Sequence, residues 1–171
     1  MGISTKTVYK YFTSKEDLLA GCLRKLYGGY HEEFTAIFNK YDNPVTTLLM
    51  VFRGSMNKDF GVSREFFHDL NYYYPELQNA AIAQSSQNYE NMFLPLMQRG
   101  IDESYFHDFL APEVALKGIM TLYTSITRSE DYKDFKDDPY QLFQNLVEVY
   151  IRGMCTGKGL KEIENNPYHK D

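Results

Sequence analysis

The sequence predicts an all-helical protein. Apolar residues recur every three or four positions through most of the chain, proline and glycine separate these stretches, and no stretch keeps the alternation of a strand. The 171 residues suffice for one packed domain with a small module attached. The composition, 43% hydrophobic and 24% charged, is ordinary for a soluble globular protein.

The first element is a short polar helix. Ser4 is placed to cap it, because a serine hydroxyl can accept from a free backbone N–H of the first turn. Val8 and Phe12 are four residues apart and share one face, whereas Lys6 and Lys10 project elsewhere. The pattern predicts a helix through Phe12 that packs on one side and stays polar on the other.

A long helix follows directly. Ser14 is placed to cap it, and Glu16 and Asp17 lie in its first turn, where the helix dipole favours acidic side chains. Apolar residues at helical spacing then continue from Leu19 to Phe38. This spacing predicts one helix of about 25 residues, with a kink or local thinning at its two adjacent glycines.

Five more helices are predicted between the remaining prolines and glycines. Their approximate ranges are 44–58, 62–74, 76–99, 112–126 and 139–154. We expect a kink at Pro95, a helix end at Gly100, and a last helix that Gly157 and Gly159 finish. The final residues, 165–171, are expected to form a frayed tail.

Charge is distributed unevenly. The net charge of −5 argues against nucleic acid, yet residues 1–30 carry five basic and two acidic side chains, or +3, which leaves −8 for the remainder. A basic tip on an acidic body suits a DNA-contacting end. The sequence shows no signal peptide, membrane span, metal-ligand spacing or catalytic motif. We therefore expect a cytoplasmic protein that is not an enzyme and needs no cofactor or metal.

The first residues, Gly2-Ile-Ser-Thr-Lys-Thr-Val-Tyr-Lys-Tyr-Phe-Thr-Ser-Lys-Glu-Asp-Leu-Leu19, closely resemble the DNA-binding head of the TetR family of bacterial transcriptional regulators. That family has a Gly-[Val/Ile]-Ser turn, a Thr-[Leu/Val]-Tyr-x-Tyr-Phe recognition helix and a Ser-Lys-Glu-x-Leu entry into a long helix. The resemblance implies a TetR-like helical bundle. Residues 1–19 would be a partial helix-turn-helix head, and residues 20–171 a helical body for ligand binding and dimerisation.

The resemblance also implies a DNA contact surface. Thr5, Lys6 and Lys10 would reach base edges, because lysine donates to guanine and threonine offers a hydroxyl or methyl. The remaining candidates would contact the DNA backbone, and they are Thr7, Tyr9, Tyr11 and Lys15. A solvated polar helix face is the alternative interpretation.

The head would lack its first helix and nearly all of its second. We expect the native protein to carry roughly 25–35 further N-terminal residues, from the size of a helix-turn-helix head. Without them, we expect the segment before Ser14 to be poorly ordered and DNA binding to be weak, because a lone eight-residue helix is marginal in water.

Aromatic and methionine side chains of the body could line a cavity for a small apolar or aromatic effector. The candidates are Phe52, Met56, Phe66, Phe67, Leu70, Tyr73, Tyr89, Met92, Phe93, Met97 and Tyr123. The alternative is that such stripes form plain core. His68, Asp69, Arg53 and Asn57 lie near this set and could orient a polar group of the effector, although a structural role fits each of them as well.

The last helix is apolar over a wide arc and therefore needs cover on two faces. One face would pack on its own core, and the other on a symmetric partner. The residues assigned to this homodimer interface are Phe143, Val147, Tyr150 and Ile151. The resemblance likewise implies that the last two long helices form the dimer.

The sequence thus leaves two functions open. The first is a ligand-responsive transcriptional regulator, a repressor that binds a palindromic operator as a homodimer. The second is a helical module that binds small molecules or other proteins and lacks DNA binding because its N-terminal helices are missing.

Overall fold

The computed structural model describes residues 4–128, 131–135 and 139–166. Its regular elements are helices throughout these ranges, so the all-helical prediction is confirmed. The helices are α1 (Thr5–Val8), α2 (Lys15–Lys40), α3 (Pro44–Gly61), α4 (Arg64–Tyr73), α5 (Pro75–Asp102), α6 (Pro112–Arg128), α7 (Pro139–Leu142), α8 (Val149–Met154) and α9 (Gly157–Glu164). A short 3-10 turn covers Lys133–Phe135, and a π-helical stretch, Phe143–Glu148, joins α7 to α8.

Local capping determines where the long helices begin. The hydroxyl of Ser14 accepts from the backbone N–H of Asp17, as the sequence predicts. Asn43 caps α3 by accepting from the backbone N–H groups of Val45 and Thr46, with Pro44 in the first turn. Helix α2 continues without a break across its two glycines, so no interruption is found there.

The head helix is shorter than predicted. Helix α1 ends at Val8, and residues 9–11 form a turn instead of completing the helix to Phe12. The ring of Phe12 nevertheless reaches α2, where it would lie only 3.0 Å from a β-carbon added to Gly21. The head is therefore anchored to the long helix by Phe12.

Helix α5 runs past both predicted interruptions. Pro95 lies within it, and it ends at Asp102 rather than at Gly100. The ring of Phe106 packs so closely on Gly100 that an added β-carbon would lie 2.3 Å from it. Close approach of Phe106, rather than a helix end, therefore explains the glycine at this position.

The C-terminal region differs most from prediction. Gly157 and Gly159 belong to an additional helix, α9, which Thr156 caps by accepting from the backbone N–H of Gly159. A β-carbon on Gly159 would lie 2.3 Å from the backbone oxygen of Tyr105, so α9 can approach only with glycine there. Ile163 of α9 is fully buried, and α9 packs against α3 and α8.

The core lies between α2, α3, α5, α6 and the α7–α8 segment, and it forms one continuous cluster of buried apolar side chains. Helix α4 packs against α5 and α6 at one side. Within the described ranges, no helix combines the length and apolar character needed to cross a bilayer.

Candidate ligand cavity and nucleic-acid interface

A partly open cavity of about 220 Å³ lies between helices of the body. Four helices contribute to its wall: α2, α3, α5 and α6. Its lining is mostly aromatic, with a few polar side chains at defined points. The lining residues are Tyr27, Tyr30, Phe34, Phe52, Ser55, Asp59, Ile82, Ser85, Tyr89, Phe93, Met120, Tyr123, Thr124 and Arg128.

The aromatic rings of the wall contact one another. Phe93 packs edge-on against Phe34, with ring centroids 5.8 Å apart, and lies 5.8 Å from the ring of Phe52. Phe52 in turn lies 5.2 Å from the ring of Tyr123, and Phe34 lies 5.4 Å from that of Tyr89. Such packing fixes the ring positions and gives a preformed apolar wall.

Asp59 places a carboxylate in this aromatic wall. Its side chain is 4% exposed. The phenol of Tyr30 donates to Oδ1, and the phenol of Tyr123 donates to Oδ2 at 2.5 Å. Both oxygens of the buried carboxylate are therefore occupied, as a buried polar group requires.

The cavity tyrosines are held in their neutral form. Burial raises the pKa of Tyr89 to about 12. Burial also raises the pKa values of Tyr30 and Tyr123, and the neighbouring charge of Asp59 raises both further. All three phenols therefore remain hydrogen-bond donors at neutral pH.

These pKa shifts predict a loss of stability in alkaline solution. Below the ordinary tyrosine pKa of about 10 both folded and unfolded chains hold the proton, so nothing is lost. Above it the unfolded chain releases protons that the folded chain retains, and the free energy of unfolding falls by up to about 1.4 kcal/mol per pH unit for each buried phenol. Urea unfolding at pH values from 9 to about 11 measures the slope.

Tyr30→Phe and Tyr123→Phe should each make that slope shallower, whereas the exposed Tyr72 offers a control, since Tyr72→Phe should leave the slope unchanged. An equal slope in all four proteins would show that the cavity phenols ionise normally.

Arg128, the last residue of α6, lies at the cavity wall. Its guanidinium carbon is 4.9 Å from the ring centroid of Phe67 and 5.8 Å from that of Tyr27. One of its nitrogens donates to the Tyr27 phenol at 3.5 Å, which is a long contact. No described carboxylate forms an ion pair with this guanidinium.

The sequence identified part of this wall. Four of the eleven predicted ligand residues line the cavity: Phe52, Tyr89, Phe93 and Tyr123. Tyr73 does not, because it lies on the outer face of α4 and is 65% exposed. The other six pack into the core or at its margin outside this cavity, and they are Met56, Phe66, Phe67, Leu70, Met92 and Met97. Of the polar side chains considered, His68 and Asp69 are exposed.

The sequence prediction did not include the residues that α2 contributes to the cavity, nor the charged residues Asp59 and Arg128. Tyr27, Tyr30 and Phe34 follow one another at helical spacing, so an aromatic stripe on α2 was the available signal. Asp59 follows Lys58 at the polar end of the predicted helix α3. Nothing in the sequence distinguishes it from an acidic residue at the surface. None of the described His, Cys, Asp and Glu side chains cluster as a metal site would require.

The candidate DNA-contacting residues precede α2 or lie in its first turn. Lys6, Thr7 and Lys10 are exposed, and the ring of Tyr11 is 79% exposed. The remaining described candidates are also exposed, and they are Tyr9 and Lys15. The side chain of Thr5 lies outside the described residues. The surface is therefore accessible and basic, and its contact with DNA stays a prediction.

Three of the four residues predicted to form the dimer interface are buried within the chain itself. Phe143 is 1% exposed, and Val147 and Ile151 are 0% exposed, because the chain itself covers them. Helix α3 packs against α7, helix α6 against the π-helical stretch, and helix α9 against α8, so helices of the same chain cover this segment. Only Tyr150 lies at the surface, where its hydroxyl end packs over Gly118 of α6.

Comparisons of the chain with protein-family models, with curated proteins and with solved structures found no match.

Proposed function

We propose that this protein is a ligand-responsive DNA-binding transcriptional regulator that acts as a homodimer. The observation that carries the proposal is the path of α2. This helix begins at Lys15, directly after the basic head, and the same helix supplies Tyr27, Tyr30 and Phe34 to the cavity wall. A ligand in the cavity therefore contacts the element on which the head is mounted.

Because α2 is one continuous helix, movement at the cavity is transmitted along it to the head. Lys15 and Tyr27 are separated by about 18 Å along the helix, at about 1.5 Å per residue. A small rotation of α2 at the cavity becomes a larger displacement of the head. In a dimer this displacement changes the spacing of two recognition helices, which must match successive major grooves. A ligand that binds one of the two arrangements better shifts the population toward it.

The head itself supports DNA contact through its chemistry. Lysines and tyrosines are exposed on one short segment, and they belong to the part of the chain with net positive charge, whereas the body is acidic. The acidic body is repelled by DNA, so the basic end would face it. Lys15 also lies 5.4 Å from the ring of Tyr74, which connects the start of α2 to the junction between α4 and α5.

DNA selection tests the proposal. The protein, as its gene encodes it, is incubated with duplexes of random sequence, and the bound fraction is amplified and sequenced. We expect enrichment of a palindrome whose half-sites are about one helical turn apart. Recovery of a bound small molecule without any enriched duplex would instead support the alternative function, a ligand-binding module without DNA binding.

The dimer is expected to form on an outer face of the last two long helices, where Tyr150 is the one predicted interface residue that lies at the surface. Helix α6 and the α7–α8 segment leave an open apolar depression around Gly118, Leu122 and Tyr150. Val114 and Val149 are 69% and 58% exposed on these helices. Exposed apolar side chains on two adjacent helices are typical of a surface that a partner covers.

Val114→Glu combined with Val149→Glu should convert the dimer to a folded monomer, because it places charge on an apolar contact at little cost to the isolated chain. Light scattering gives the mass, and circular dichroism reports whether the helices remain. Val147→Glu is the matched comparison: it should unfold the chain, since Val147 is inside the core. A dimer unchanged by the double substitution would contradict this surface.

A further inference from the structure

The polar groups of the cavity differ in how well the protein satisfies them. Asp59 is the acid and Arg128 the base among its lining side chains. The carboxylate of Asp59 accepts one phenol on each oxygen. The guanidinium of Arg128 has five N–H donors, and its hydrogen bond to the phenol of Tyr27 is long. The acid is therefore satisfied by two hydrogen bonds, whereas the described residues offer the base only this long one.

We infer that the cavity takes a small aromatic carboxylic acid, whose ring lies among the aromatic side chains and whose carboxylate pairs with Arg128. This inference rests on the proposed function and deepens it, since it names the class of effector. An arginine fork matches a carboxylate in a two-point contact, which a neutral ligand cannot offer. The hydroxyls of Tyr27 and Thr124 line the same cavity and can donate to a remaining lone pair.

The size of the cavity limits the acid. A cavity of about 150 Å³ accommodates benzene, with its six non-hydrogen atoms, so 220 Å³ corresponds to roughly nine such atoms. That number fits a single aromatic ring with a carboxylate on it or on a short side chain. The aromatic side chains of Phe34, Phe52 and Phe93, which line the cavity, suit contact with such a ring.

A cationic ligand is the competing possibility, because aromatic rings and a carboxylate attract cations. The arrangement disfavours it in two ways. The oxygens of Asp59 already hold phenols from opposite walls, and a cation would enter beside the positive charge of Arg128. A bound cation would leave the Arg128 guanidinium without an anion. With an aromatic acid bound, Arg128 pairs with the ligand carboxylate while Asp59 keeps its two phenols.

The test uses benzoate, phenylacetate and 3-phenylpropanoate, each with its carboxamide and the corresponding protonated amine. Binding to the purified protein is measured by calorimetry without DNA. We expect at least one acid to bind, and its amide and amine to bind roughly 10- to 100-fold more weakly, as for the loss of charge-assisted hydrogen bonds.

Variants assign the effect to Arg128. Arg128→Gln should reduce acid binding to the level of the amide, and Arg128→Lys should retain part of it, because it keeps the charge without the two-point geometry. Lys25→Gln is the matched control: it removes one positive charge from an exposed position on α2 and should change nothing. Circular dichroism verifies that each variant is folded. If Arg128→Gln does not fold, Arg128→Lys still tests whether the acid binds through Arg128.

Equal binding of acids and amides, acid binding that Arg128→Gln leaves unchanged, or no acid binding at millimolar concentration would each overturn the inference. Tighter binding of the amines would overturn it in favour of a cation at Asp59. DNA plays no part in these measurements. Acid binding in a protein that selects no DNA sequence would therefore defeat the proposed function and leave the ligand class standing.

Discussion

Asp59→Ala is expected to lower the free energy of unfolding by about 2–5 kcal/mol, because it leaves two buried phenols without their acceptor and adds a small cavity. Tyr30 and Tyr123 come from α2 and α6, so the substitution also removes the polar link between these helices through α3. Urea unfolding followed by circular dichroism measures the change.

Two further variants define the origin of that loss. Asp59→Asn keeps an oxygen that can accept from one phenol. It should lower the free energy of unfolding by about half as much as Asp59→Ala. Asp69→Ala removes an acid that is well exposed on α4, and should change the free energy of unfolding by less than about 0.5 kcal/mol. If Asp59→Ala lowered the free energy of unfolding no more than Asp69→Ala, the Asp59 carboxylate would have no structural role in the cavity.

Replacing Lys6, Lys10 and Lys15 together by glutamine is expected to weaken DNA binding by roughly 10⁴-fold, since each lysine that meets a base or phosphate contributes about 1 kcal/mol in each head of the dimer. The dependence of affinity on salt should also become shallower, by about 0.9 in log–log slope for each phosphate that the head no longer neutralises. Titration of a labelled duplex at several salt concentrations measures both.

The control for this variant carries the same change of charge elsewhere. Lys58, Lys158 and Lys161 lie on the body, and their joint replacement by glutamine should leave the salt dependence as it was. Equal weakening by the two triple variants would mean that overall charge, rather than the head, determines DNA binding.

Helix positions could largely be predicted from sequence because their signals are local. Ser14 and Pro44 act on the first turns of their own helices, and the structure shows both. The predictions were wrong where a residue from another part of the chain determines the structure. Gly100 and Gly159 read as helix ends, yet each is a glycine because Phe106 or the backbone of Tyr105 approaches it closely.

The site was harder to predict for the same reason. A wide apolar arc around Val147 indicated cover on two sides, and helices of the same chain bury this residue completely. Phe52 and Met56 lie on one stripe of α3, and only the neighbouring helices determine that Phe52 lines the cavity while Met56 is core. The pairing of Asp59 with two phenols joins residues up to 64 positions apart, which no local pattern encodes.

Regulation by a ligand requires the connection between the cavity and the head, which α2 makes in one continuous helix. The most direct measurement is the affinity of the protein for its selected palindrome with and without an acid that binds the cavity. We expect the acid to change the DNA affinity by about tenfold or more, and Arg128→Gln to abolish this response without abolishing DNA binding. An affinity for the palindrome that the bound acid leaves unchanged would contradict this expectation.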